Sequence, residues 1–188
     1  MSDKLVTAFY GKFAEQVELI DRLFDFIPAD KLDWRPVVSH EPAEVRVSAL
    51  ASENIAEPLP LLSLGHLLGH LLDCMAGFCA ALYKLDPILM NDLKDLRLLP
   101  VNHCCDPTEA HARLNGYAEA LKAAFGRLTD DDLSRRLPTV FAPAGESVLT
   151  ILLGNLEHLI NHKFQLFMYL RLLGAPISSR QLYRFRGE

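Results

Sequence analysis

The spacing of apolar side chains constrains the fold of this 188-residue chain more than any other feature. In residues 5–27 the apolar positions recur at steps of four and three: Val6, Tyr10, Phe13, Val17, Ile20, Phe24 and Ile27. Because an α-helix has 3.6 residues per turn, this spacing puts them on one side of a helix. We therefore predict an amphipathic helix that packs against others and ends before Pro28 and the motif LDWRP at residues 32–36.

Three further segments have helical character and are bounded by residues that cap or end helices. They are residues 64–85, between Ser63 and Pro87; a segment from near Pro107 to Leu128; and a segment from Glu146 or Ser147 to Gly174. Residues 128–146 form a connection with at most one short helical turn. No segment alternates with period two for long enough to predict a strand. We predict an all-α fold, a four-helix bundle that forms a single domain over residues 1–188.

Residues 37–62 form a long connection between the first two predicted helices. They hold three prolines, mixed charges and no sustained period. Long connections in compact domains tend to be functional loops or disordered segments. We expect this one to lie outside the bundle.

The composition excludes several classes of protein. A hydrophobic fraction of 50% and a charged fraction of 23% are typical of a soluble globular domain. The net charge of -5 argues against a nucleic-acid partner. Charges in residues 1–20 exclude a signal peptide there, and no uncharged stretch is long enough to predict a membrane span. The four cysteines, Cys74, Cys79, Cys104 and Cys105, contain no CxxC pair, which predicts reduced thiols in a cytoplasmic protein.

Two histidines lie four residues apart in the apolar run of residues 156–174. One helical turn separates His158 from His162, so both imidazoles leave the same face of the helix, a strip that also carries Asn155. This strip is apolar and is predicted to face inward. Two such imidazoles are either hydrogen-bonded core residues or two ligands of a metal site.

A third imidazole comes from the second predicted helix, where His66 and His70 are also one turn apart. The strip of His70 carries only small residues: Ser63, Cys74, Gly77 and Ala81. Such a strip leaves volume unfilled unless leucine or phenylalanine side chains from a neighbouring helix fill it. Three neutral imidazoles plus water form the ligand set of a catalytic zinc site. His66 is rotated by about 40° around the helix axis from His70. It is either a residue at the boundary of the strip or a hydrogen-bond partner of a metal ligand. Cys74 is a candidate thiolate ligand or a small buried residue.

Three motifs resemble the DinB/YfiT-like family of metal-binding four-helix bundles. HLINHKFQLFMYLRLLG resembles its last helix, SLGHLLGHLLD resembles its second helix, and LDWRP resembles the motif after its first helix. In the second motif His70, three residues before an acidic position, matches the family and His66 does not. The resemblance implies a divalent metal held by His70, His158 and His162, with water completing the coordination. Zinc and nickel are the favoured ions, and iron or manganese also suit the family.

The same resemblance implies two kinds of function. Similar proteins include thiol-dependent S-transferases, in which a low-molecular-weight thiol binds the metal and attacks an electrophile, and others with hydrolase-like roles. The alternative is a metal- or ligand-binding stress protein without turnover. The chain shows no general base beside the ligands, which suits thiolate chemistry better than hydrolysis, and no catalytic residue is assigned. The small-molecule substrate is not predicted.

Three further predictions concern residues around the predicted site and the surface. Gln165, one turn past His162, is expected to hold a ligand or water by a hydrogen bond. The sequence HCC at residues 103–105 matches no zinc-binding spacing, so we predict a loop with two ordinary thiols. Residues 164–173 carry apolar side chains almost all round, more than one seam requires, which predicts a homodimer.

Overall fold

The computed structural model describes residues 3–36, 61–139 and 142–184, and these residues are mostly helical, which confirms the all-α class. The α-helices in the described residues are α1 (Lys4–Phe24), α2 (Leu64–Leu85), α3 (Pro107–Phe125), α4 (Asp130–Ser134) and α5 (Val148–Leu172). The strands β1 (Arg136–Leu137) and β2 (Glu146–Ser147) pair antiparallel. Most of the predicted connection, residues 37–60, lies outside the described residues.

The long helices after the first start where the capping residues predict. Ser63, Asp106 and Ser147 each accept a hydrogen bond from the backbone N–H three residues later, at the starts of α2, α3 and α5. Each bond satisfies one of the amide groups that a helix start leaves without an intrahelical partner. The local sequence therefore fixes where these three helices begin.

Two helices end three residues earlier than the apolar pattern predicts. The N–H of Ile27 bonds to the Phe24 carbonyl at 3.1 Å, and that of Leu128 bonds to the Phe125 carbonyl at 3.2 Å. The chain therefore leaves both α1 and α3 in tight turns. Ile27 and Leu128 are nevertheless buried. The apolar pattern overestimates the helices because side chains in these turns still pack on the core, and Pro28 disfavours helical geometry at the residue before it.

The four long helices enclose a shared apolar core. α2 contacts α5 and α3 most extensively, while α1 lies against α3 and α5. Phe13 of α1 and Phe78 of α2 are almost fully buried, with ring centroids 4.7 Å apart. Burying a side chain of this size contributes about 1.5 to 3 kcal/mol of transfer free energy. Because α2 and α5 make the largest contact, side chains on their facing sides are brought together.

Among the described helices, α2 is the one long and apolar enough to cross a membrane by length and composition. Of its most apolar window, 67% is buried inside the fold. Packing in the core therefore accounts for its apolar character.

The loop before α3 docks on α2 at two glycines. The N–H of Asn102 donates to the Gly69 carbonyl at 3.1 Å, and the N–H of Cys105 donates to the Gly65 carbonyl at 3.0 Å. A Cβ atom at Gly69 would lie 2.1 Å from the carbonyl oxygen of His103, so only glycine allows this approach. Asn102 has φ of 60°, in the left-handed region that asparagine tolerates better than most residues.

A buried lysine on α5 connects the segment after α5 to α1. The ammonium of Lys163 on α5 donates to Gln16 Oε1 of α1 and to the Leu182 carbonyl, each at 2.7 Å. Only 4% of this lysine is exposed, and burial lowers its pKa to about 8. The two acceptors offset part of the cost of removing the ammonium from water.

Candidate metal centre

Three imidazoles converge between α2 and α5. Nε2 of His70 lies 3.1 Å from Nε2 of His162 and 3.3 Å from Nε2 of His158. The ring centroids of His158 and His162 are 4.6 Å apart, as expected for side chains one turn apart. Nitrogens that bind one zinc ion tetrahedrally at about 2.05 Å lie about 3.3 Å from each other. In this group of three residues, the histidine triad, both nitrogen–nitrogen distances from His70 therefore match the spacing that one ion requires.

The outer nitrogens of two rings are held by amide side chains. Nδ1 of His70 lies 2.6 Å from Oδ1 of Asn102, and Nδ1 of His162 lies 2.9 Å from Oε1 of Gln165. A carbonyl oxygen only accepts hydrogen bonds, so each Nδ1 carries the proton and each Nε2 presents its lone pair. Lone pairs facing each other at 3.1 Å repel unless a cation lies between them. The arrangement of these rings therefore fits a bound divalent ion.

The electrostatic environment keeps the α5 imidazoles neutral. Burial, with a smaller contribution from the His70 ring, lowers the pKa of His158, and the carboxylate of Asp73 opposes this shift. Burial also lowers the pKa of His162, although its hydrogen bond to Gln165 opposes the change. Only a neutral imidazole has a lone pair to give to a metal. The shifts therefore favour the ligand form at neutral pH.

Cys74 approaches the triad from within α2. Its Sγ lies within 4.8 Å of a ring nitrogen of both His70 and His158. Burial and the neighbouring Asp73 raise the pKa of this thiol to about 12, so it is protonated at neutral pH. The thiol is near enough to line the site, and binding to an ion would require the loss of its proton.

The other predicted residues take different places. The ring of His66 belongs to the cap of α2, because its Nδ1 lies 2.8 Å from Oγ of Ser63. Asn155 packs over Gly77, with its Nδ2 3.7 Å from where a Cβ would stand, and lines a cavity next to His158. Gln165 makes the predicted type of contact by accepting from His162.

A chain of hydrogen bonds supports Gln165 from behind. Its Nε2 donates to the Tyr169 hydroxyl, which donates to the Leu62 carbonyl, both at 3.1 Å. The ring of Trp34 packs edge-on against Tyr169 with centroids 5.5 Å apart. The LDWRP motif therefore supports the histidine triad indirectly: Trp34 packs on Tyr169, and the hydrogen bonds run from Tyr169 through Gln165 to His162.

Two polar residues at the site were not predicted from the sequence. Asn102 lies 32 residues from His70, and no local pattern links them. Oδ2 of Asp73 is 3.8 Å from Nδ1 of His70, one turn away on the same helix. The acidic position after His70 was part of the motif, and its three-residue spacing was the signal that could have given Asp73 a role.

A cavity of about 720 Å³ opens beside His158. Its α2 wall consists of Gly77, Ala80, Ala81 and Lys84, and Gly154 contributes to its α5 wall. Two of the four small residues on the predicted strip of α2 therefore border unfilled volume, as expected. Its polar groups include the hydroxyl of Thr150 and, among other side chains, Lys84, Glu146 and Asn155. This space can admit a small organic molecule to the histidine triad.

Comparison with known proteins supports the fold. By sequence, the chain matches no family model and no curated protein. By structure, it is similar to a DinB-like protein, YjoA of Bacillus subtilis, with a TM-score of 0.60 and 17% identity. The match covers 90% of this chain and 96% of that protein. The chain therefore has a DinB-like fold, as its three sequence motifs predict.

Proposed function

We propose that this protein is a divalent-metal-dependent enzyme whose ion is held by His70, His158 and His162. The observation that carries the proposal is the convergence of their three Nε2 atoms at the edge of a cavity. Nε2 of His70 lies 3.1 Å from that of His162 and 3.3 Å from that of His158. Three neutral nitrogen ligands leave a coordination position for water or substrate, as in catalytic rather than structural zinc sites. Zinc and nickel are the favoured ions, iron also suits imidazole ligands, and manganese, which prefers oxygen ligands, is the least favoured of the four.

The surrounding side chains favour transfer from a thiol over hydrolysis. A bound divalent ion lowers the pKa of a coordinated thiol or water and so supplies a nucleophile at neutral pH. Asp73 is on the Nδ1 side of His70, across the ring from Nε2, so it is not placed as a base for a nucleophile in the centre. Asn102 and Gln165 orient the rings. The cavity next to His158 is large enough for an electrophile with an apolar body. The small side chains in its walls place few restrictions on the shape of that molecule.

Zinc titration calorimetry on untagged protein tests the metal site. Alanine substitution of His70, His158 or His162 should each weaken binding by more than about 100-fold, because losing only a partner of a ligand costs roughly 10- to 100-fold. His66→Ala should bind normally. His111→Ala is the matched control, because Nδ1 of His111 on α3 lies 2.8 Å from Oδ1 of Asp21 on α1, and neither helix contributes a triad residue. Unchanged affinity in all three triad variants would show that these histidines are core residues.

An activity screen separates the two functional classes. The metal-loaded protein should convert alkylating electrophiles only when a low-molecular-weight thiol is present, and His162→Ala should abolish the reaction. Turnover without thiol would indicate a hydrolase. Tight metal binding with no conversion of any electrophile would identify a metal- or ligand-binding protein without turnover.

We also propose that the protein forms a cytoplasmic homodimer through α5. Leu153, Phe164, Met168 and Leu172 are between 41% and 62% exposed. On an α-helix these positions share one side, within about 100° of each other. Such an exposed apolar strip is typical of a surface that binds another protein.

A further inference from the structure

A second group of possible ligands lies on the loop that docks on α2. Ligand atoms of His103, Cys105 and Glu109 all lie within 4.8 Å of one another. We propose that this group, the loop cluster, is a second metal site that binds a thiolate-preferring divalent ion such as zinc. This proposal differs from the sequence-based prediction that residues 103–105 form a loop with two ordinary thiols. Cys105 is fully buried, whereas Cys104 is exposed.

The backbone holds the three residues in place. The N–H of Cys105 is bonded to the Gly65 carbonyl, and Asp106 accepts from the N–H of Glu109 at 2.9 Å, which fixes the first turn of α3. Cys105 and Glu109 are four residues apart across this helix start. Nε2 of His103 lies 2.9 Å from Oε1 of Glu109. Nitrogen, oxygen and sulfur ligands are therefore close together on rigid elements, and no large rearrangement is needed to bind an ion.

Hydrogen bonds within the loop cluster leave one of its atoms unsatisfied. Nδ1 of His103 is buried and has no hydrogen-bond partner. A buried polar atom without a partner costs about 1 to 3 kcal/mol. The side chains of His103 and Glu109 are each 37% exposed, so an ion can reach the group from solvent. Coordination through Nδ1, with Nε2 keeping its proton and its hydrogen bond to Oε1 of Glu109, would give the buried atom a partner and relieve this cost.

Charge around the loop cluster favours an ion that binds thiolate. Arg113 donates to Oε1 of Glu109 at 3.0 Å, so the carboxylate is already partly neutralised and is a poor site for magnesium or calcium. The thiolate of Cys105 supplies the additional negative charge that zinc prefers. Burial and Glu109 raise the pKa of this thiol to about 12. Binding breaks the S–H bond, forms a sulfur–metal bond and releases one proton to solvent, so affinity should rise with pH.

Cobalt(II) distinguishes the loop cluster from the histidine triad. Thiolate bound to cobalt gives an intense near-ultraviolet charge-transfer band, whereas a site with only imidazole ligands gives none. Wild-type protein should bind two equivalents and show the band for one. Cys105→Ser and His103→Ala should each lose the band and one equivalent. Cys104→Ser is the matched control and should keep both, and a His158→Ala, His162→Ala double variant should keep the band.

Three results would overturn the second site. They are a cobalt-loaded wild type without the band, an unchanged band in both Cys105→Ser and His103→Ala, and loss of the band in Cys74→Ser, which would place the thiolate at the histidine triad. Circular dichroism of each variant checks folding. If Cys105→Ser does not fold, the partly exposed His103→Ala decides the question. Because the double variant removes only the triad, failure of the second site and failure of the proposed function are distinguishable.

Discussion

Gly69→Ala should perturb the metal centre although Gly69 touches no ligand atom of the proposed ion. The new Cβ would lie 2.1 Å from the His103 carbonyl oxygen, and ordinary contact begins at 3.4 Å. The loop backbone must therefore retreat by about 1.3 Å, the difference between these distances. The retreat strains the 3.1 Å bond between the Asn102 N–H and the Gly69 carbonyl. It also draws Oδ1 of Asn102 away from Nδ1 of His70, where it now lies at 2.6 Å.

The expected cost has three parts. Overpacking costs about 1 to 3 kcal/mol, and a weakened backbone hydrogen bond costs about 0.5 to 1.5 kcal/mol. Replacing glycine in a helix by alanine returns about 0.5 to 1 kcal/mol. The free energy of unfolding should fall by about 0.5 to 4 kcal/mol, which for a chain of this size lowers Tm by about 1 to 16 °C. Losing the partner of His70 should weaken zinc binding about 10- to 100-fold.

Thermal unfolding without metal measures the first effect, and zinc calorimetry at 25 °C in a Cys105→Ser background, which removes the loop cluster, measures the second. Gly116→Ala on α3 is the matched control, because a Cβ there meets no atom within 4 Å. It should raise Tm by about 2 to 4 °C and leave zinc affinity unchanged. Asn102→Gly should lower affinity with a smaller change in Tm, because glycine tolerates φ of 60° and the loop remains docked. If Gly69→Ala matches the wild type in both Tm and zinc affinity, the loop does not position His70.

Other substitutions and conditions test separate parts of the structure. Gln165→Ala should weaken zinc binding about 10- to 100-fold in calorimetry, and an unchanged constant would contradict its role in orienting His162. Lys163→Ala should lower the free energy of unfolding by about 2 to 4 kcal/mol in urea titrations, because it leaves a cavity and two buried acceptors without a donor. Zinc affinity should hold down to pH 6.5 and decline below it, because the lowered pKa values of His158 and His162 delay protonation; a decline that begins above pH 7 would contradict those shifts. Sedimentation should give twice the 21.1 kDa chain mass at micromolar concentration, and Phe164→Glu should restore the monomer. A wild-type monomer at these concentrations would refute the dimer.

Local sequence patterns predict the parts of the fold that depend on local geometry. The helices follow from apolar periodicity and caps, and the shared face of His158 and His162 follows from their four-residue spacing. The pairing of β1 with β2 was not predicted, since two-residue strands contain no period. Contacts between distant segments were missed for a related reason. Nothing near Asn102 indicates that its loop docks on α2, and this docking creates both the contact to His70 and the loop cluster.

Asn102 must meet two independent requirements, which restricts the residues that evolution can place there. Its backbone, at φ of 60°, accepts asparagine, aspartate or glycine at low cost. Its side chain must also reach 2.6 Å from Nδ1 of His70 and accept a hydrogen bond, which glycine cannot do. Only asparagine and aspartate satisfy both requirements, and aspartate would add a negative charge that makes the imidazole more basic. Distant chains that share this centre should therefore have asparagine or aspartate here and glycine at the position of Gly69, a paired signature that a search can use where overall identity is low.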